Sequence, residues 1–111
     1  MEKESQVTIL ELCREAHVTA KAKGWWGEPR NDGELIALMH SELSEALEAM
    51  RHPDRKDEHL PELHPVGLEL ADVLIRIGDF CQARNIDLTT CVEAKMAYNA
   101  HRPYKHGGKK F

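Results

Sequence analysis

The stretch Pro65–Arg84, PVGLELADVLIRIGDFCQAR, decides the fold. Val66, Leu68, Leu70, Ala71, Val73, Leu74, Ile75, Ile77, Phe80 and Cys81 make it apolar almost all round, with no alternation of period two. Its polar groups, Glu69, Asp72, Arg76 and Asp79, recur at steps of three, four and three, so they form one narrow stripe on a helix. A helix so apolar belongs at the centre of a helical pack, and Pro65 suits its first turn.

Working outward, three more helices are expected. The first runs from about Gln6 to Lys23, with Val7, Leu10, Cys13 and His17 at helical spacing, and Gly24 ends it. The loop WWGEPRNDG follows, dense in turn residues. The second starts at Gly33 or Glu34, capped by Asn31 or Asp32, and runs to about Arg51, where His52-Pro53 stops it. Pro53 to Leu63 is a charged connection, and Asn85-Ile86-Asp87 a short link with Asp87 as N-cap. The fourth covers about Leu88 to His101 and ends before Pro103. Without a confident strand, the chain reads as a single all-α domain, a four-helix bundle with a basic tail over about 103–111.

Charge and composition narrow the function. The net charge of −4 conceals an asymmetry, because the last eleven residues hold Arg102, Lys105, Lys109 and Lys110 and no acid. The body is therefore strongly acidic, a poor surface for a nucleic-acid duplex. No apolar run approaches the roughly 18 residues of a membrane span. MEKESQVTIL has no basic region followed by an apolar stretch, so no leader is expected. Cys13, Cys81 and Cys91 lack a C-x-x-C pair and read as reduced, buried thiols of a cytoplasmic protein.

The candidate chemistry lies in the carboxylates. On the second helix Leu35, Leu38, Met39, Leu43, Ala46, Leu47 and Met50 define an apolar arc, with Glu42 inside it and Glu45 on its edge. An ionised carboxylate there needs a cation: either an Arg or Lys partner, or a hard metal ion. The polar stripe of the third helix, by itself, is an ordinary solvent face. Together, however, Glu42/Glu45 and Glu69/Asp72 are two i, i+3 pairs, and antiparallel packing would converge four carboxylates on a divalent ion. The fourth helix carries Leu88, Cys91 and Val92, then Lys95, Asn99 and Arg102 on the same face. Those cations suit either a helix C-terminus or phosphate groups.

Glu42-Leu43-Ser44-Glu45 and Glu69-Leu70-Ala71-Asp72, with 23 residues between Glu45 and Glu69, resemble the paired acidic motifs of the MazG-like all-α nucleoside triphosphate pyrophosphohydrolases. Lys95, Asn99 and Arg102, followed by Pro103-Tyr104-Lys105-His106, are similar to that family's C-terminal pattern, and the resemblance covers roughly Gly24 to the end. It implies cleavage of a nucleoside triphosphate to the monophosphate and pyrophosphate. It implies Mg²⁺ (with Mn²⁺ as a substitute) on Glu42, Glu45, Glu69 and Asp72, and Glu42 or Glu45 as the catalytic residue acting on water. Lys95, Asn99 and Arg102 would hold the phosphates, and a homodimer or larger homo-oligomer is implied. The alternatives are phosphoribosyl-ATP pyrophosphohydrolase and a non-catalytic helical dimer or regulator.

Trp25 and Trp26 read chiefly as a hydrophobic plug or dimer contact, with base stacking by one of them as the functional alternative. His52, His59 and His64 fit no common zinc spacing and read as surface residues. His40 and Ser41 carry no assigned role. Lys105, Lys109 and Lys110 either guide an anionic substrate or belong to a loose tail.

Overall fold

The computed structural model describes residues 6–110, apart from the side chain of His106. The first five residues, half of the stretch read for a leader, lie outside that range, as does Phe111. The described residues form helices α1 (Ile9–Ala22), α2 (Asp32–Arg51), α3 (Pro65–Ala83), α4 (Leu88–Ala100) and a single turn, α5 (Lys105–Gly108), with no strand among them. No helix among them is long and apolar enough to cross a membrane.

Local chemistry sets the boundaries. Helix α1 begins three residues later than its apolar spacing predicts, because Thr8 and Glu11 close a capping box. It ends in a Schellman turn: Gly24 has φ +87°, Trp25 N–H donates to Ala20 O at 3.0 Å, and Gly24 N–H to Lys21 O at 3.0 Å. Asn31 caps α2 and Asp87 caps α4, each side chain accepting a backbone N–H. Helix α3 closes in the same way as α1, with Asn85 at φ 56° and Ile86 N–H on Cys81 O at 2.8 Å. The tail, for which a loose segment is one of two expectations, turns once at α5, where Lys105, Gly107 and Gly108 all have positive φ. Adjacent glycines carry most of that left-handed turn without a side-chain clash.

Helix α3 is central, packed on one side by α1 and on the other by α2, as its apolar character predicts. Helices α2 and α3 are antiparallel: Asp32, at the start of α2, pairs with Arg84 beyond the end of α3, whereas Glu42 pairs with Arg76. Helices α1 and α3 meet closely at Gly78, where a Cβ would lie 3.3 Å from the Cα of Cys13. Helix α4 stands apart, touching mainly α1, and contains no buried residue. The expected four-helix bundle is thus a three-helix pack with an outlying fourth helix. Cys13 and Cys81 are buried as expected, but Cys91, on α4, is exposed. It follows the rest of α4 outward.

The core is small. Cys13, Ala16, Leu35, Ala46 and Cys81 are its buried apolar residues. Leu43, Leu47 and Met50 on α2, and Leu70, Leu74 and Ile75 on α3, remain exposed. The accessible surface is 9182 Å², whereas a folded monomer of this mass has about 6,200 Å². The radius of gyration is 16.6 Å, against about 13 Å for a compact chain of this length.

Candidate metal centre

Antiparallel packing of α2 on α3 brings carboxylate oxygens of Glu42, Glu69 and Asp72 within 4.8 Å of one another. Glu42 comes from the face of α2 turned toward α3, and Glu69 and Asp72 are one turn apart on α3. Burial and mutual charge both favour the protonated forms here. Burial pushes the Glu69 carboxyl above its ordinary range, and the charges of Asp72, Glu45 and Glu42 push it further. Asp72 is raised first by burial and then by Glu42, with Arg76 opposing.

Glu45 is not a member of this close group. It is exposed, and it shares with Glu69 a small pocket of about 180 Å³ beside the 53–64 connection. The single step of three residues from Glu42 to Glu45 therefore separates a carboxylate inside the helix interface from one on its rim.

Arg76, one turn beyond Asp72, donates through Nε to Glu42 Oε1 at 2.8 Å. The sequence placed Arg76 in the polar stripe without assigning it a role. Three carboxylates outweigh the one guanidinium, so the cluster keeps net negative charge for a cation. The donor set is all oxygen, as Mg²⁺ requires, and part exposure leaves room for the waters this ion retains. The residues present therefore fit the metal that the motifs imply.

Glu42 and Asp72 of the cluster line a groove of about 590 Å³ together with Arg76 and Asp79, and Glu15, Lys23, Trp25 and Arg30 line it too. Trp25 is 61% exposed, and the Arg30 guanidinium lies 5.8 Å from the centre of its ring. Trp26 is held differently. Its Nε1–H donates to Asp79 Oδ1 at 2.8 Å, with Oδ2 at 3.1 Å. His17 Nδ1 meets the same Oδ1 at 2.8 Å, and the His17 and Trp26 rings stand edge to face at 5.5 Å. Arg84 lies 5.4 Å over the Trp26 ring while its Nε donates to Asp32 and its Nη2 to the carbonyl of Arg30. Asp79 and Arg84, both near the end of α3, thus pin the tryptophan loop across the groove. Sequence spacing showed Asp79 on the acidic stripe, but neither of its partners was foreseeable from local pattern.

Lys95, Asn99 and Arg102 are not brought to the carboxylates in this chain. Lys95 Nζ and Arg102 Cζ flank the ring of Tyr98 on and just beyond α4, at 5.3 and 5.6 Å, and none of the three lines the groove. His52 pairs with Glu48 at 2.8 Å and His64 caps α3, so neither converges with His59 in a metal-ligating group.

Comparison with protein-family models, curated proteins and solved structures returned no match to this chain.

Proposed function

We propose that the chain is a Mg²⁺-dependent nucleoside triphosphate pyrophosphohydrolase of the MazG-like kind, working as a homo-oligomer. The observation that carries this reading is the convergence of Glu42, Glu69 and Asp72 at the mouth of a groove that also holds cationic and aromatic side chains. Those three carboxylates would hold the ion, which, when bound, would neutralise phosphate oxygens and acidify water. Water adds to the α-phosphorus, pyrophosphate leaves, and the proton from water passes to a carboxylate. Glu45, on the rim and outside the close group, is the better candidate to receive it. Arg30 and Arg76 offer the groove bidentate donors for phosphate oxygens. Trp25 offers an exposed flat face for a base.

The exposed leucines of α2 and α3 support self-association, since obligate homodimer interfaces are rich in such apolar side chains. In an oligomer, Lys95, Asn99 and Arg102 would reach a phosphate chain if a second copy laid its α4 over the groove.

The test is to incubate the protein with a panel of nucleoside triphosphates, with and without Mg²⁺, and separate the products. Monophosphate and pyrophosphate, formed only with metal, are expected. Release of orthophosphate, or undiminished turnover in chelator, would sink the reading. The Glu42–Arg76 ion pair favours a second reading, a non-catalytic helical dimer with neutralised acids. That alternative predicts no change in melting temperature with Mg²⁺.

A further inference from the structure

Arg76 occupies a position that the metal would contest. Its Nε–H holds Glu42 Oε1 at 2.8 Å, and Glu42 belongs to the group with Glu69 and Asp72. The Arg76 side chain is 38% exposed and the Glu42 side chain 21%, and both line the groove. The bond therefore joins a partly sheltered acid to a cation that has open space to move into.

We propose that Arg76 is a built-in counter-cation: it neutralises Glu42 while the site is metal-free, is displaced when the metal binds, and then takes a phosphate group in the groove. The proposal rests on the metal-centre reading above and adds an order of events, metal before anion. The physical reason is charge. A guanidinium and a divalent ion on one carboxylate repel at close range, in a place only partly screened by water, and one charge-assisted hydrogen bond returns less than that repulsion costs. Without metal, the guanidinium on Glu42 sets a positive charge beside the three converging carboxylates and offsets part of their mutual repulsion. Once freed, the guanidinium has Asp72 and Asp79 within one turn on α3, and Glu15 of α1 lines the same groove but offers one charge against the several of a polyphosphate. Asp79 is already engaged by Trp26 and His17, and Asp72 belongs to the metal. An anionic ligand in the groove is then its natural partner, and a triphosphate or pyrophosphate offers the matching planar pair of oxygens.

The test reads Arg76 directly. In the intact protein, the Arg76 Nε–Hε signal is followed by ¹⁵N–¹H NMR, assigned by comparison with Arg76→Lys, while Mg²⁺ and then inorganic pyrophosphate are added. Mg²⁺ should abolish the protected signal, and pyrophosphate should restore one at a new shift. Calorimetry of Mg²⁺ binding accompanies it. Arg76→Gln should bind Mg²⁺ about ten-fold more tightly than the parent, because nothing competes for Glu42. The same variant should bind pyrophosphate in the presence of Mg²⁺ about ten-fold more weakly. Arg76→Lys keeps the charge and should stay near the parent for the metal, which guards against a folding defect in the glutamine variant. Mg²⁺ binding with the Arg76 signal unchanged would overturn the displacement and leave the metal centre standing. An unaltered pyrophosphate affinity in Arg76→Gln would overturn the anion step. Absence of Mg²⁺ binding to the parent protein would overturn both this proposal and the reading beneath it.

Discussion

Asp79 on α3 accepts the indole N–H of Trp26 at 2.8 Å, and the two residues lie 53 positions apart in the chain. Through this bond the loop after α1 is tied to the central helix just where the carboxylate groove opens. Its neighbour Trp25 is left facing that groove. Adjacent tryptophans thus have different tasks, one anchored and one available.

Removing the anchor should loosen the loop. Asp79→Asn keeps the size but loses the charge on two hydrogen bonds, and should cost about 1–3 kcal/mol. Trp26→Phe leaves Asp79 its bond to His17 and should cost less for the lost hydrogen bond itself. Denaturant titration gives the stabilities. A red shift of tryptophan emission in Asp79→Asn, at concentrations of denaturant that leave the helices intact, would report release of the loop.

The three converging carboxylates should be separable from the fourth. Glu69→Gln and Asp72→Asn relieve crowding, so without metal they should melt at or above the parent temperature, while losing the rise in melting temperature caused by Mg²⁺. Glu45→Gln should retain most of that rise and still lose turnover, since Glu45 lies outside the close group. Equal loss of metal response in all three variants would remove the distinction drawn between Glu45 and the others.

The raised carboxyls at Glu69 and Asp72 set a sign for pH dependence. Each binds a proton more readily folded than unfolded, so metal-free stability should increase as pH falls from neutrality through their raised folded values. The gain is complete below the unfolded values, roughly pH 4. Glu11, Asp57 and Asp87 work oppositely: backbone N–H donors lower them, so their contribution is lost as pH falls through their lowered folded values. Melting scans without metal should therefore rise as pH falls from neutrality toward the unfolded values of roughly 4, and fall in stronger acid. Saturating Mg²⁺ favours the ionised carboxylates and should flatten or invert the upper limb.

Gly78 sets the distance between α1 and α3. A Cβ there would meet the Cα of Cys13 and the Cγ of Leu12 at 3.3 Å each, and the first is backbone that cannot swing aside. Alanine gains about 1 kcal/mol of helix propensity against that contact, so Gly78→Ala should be mildly destabilising at most. Gly78→Val adds bulk without the propensity gain and should lose about 2 kcal/mol or more, read by calorimetric melting.

Exposed leucines on α2 and α3 should mark the contact between copies. Leu47→Glu or Leu74→Glu should shift the sedimentation coefficient toward that of a monomer while leaving circular dichroism helical. A parent protein that sediments as a monomer would contradict the proposed homo-oligomer.

What the sequence by itself determined is whatever depends on neighbours three or four residues away. Helical spacing in PVGLELADVLIRIGDFCQAR identified α3 as the central helix, Asn31 and Asp87 marked helix starts, Gly24 marked a stop, and both acidic pairs were visible as i, i+3 steps. Even so, apolar spacing alone starts α1 too early, because the Thr8–Glu11 capping box, also local, fixes the start at Ile9. Tertiary structure alone decided which acids meet, because convergence depends on how α2 rolls against α3. That roll took Glu42 inward and left Glu45 at the rim. It also set Arg76 on Glu42 and Asp79 on Trp26, pairings between residues 34 and 53 positions apart that no local pattern encodes. The same holds for α4: Lys95 and Asn99 on it, and Arg102 just beyond it, lie away from the groove, because the helix buries no residue against the rest of the chain.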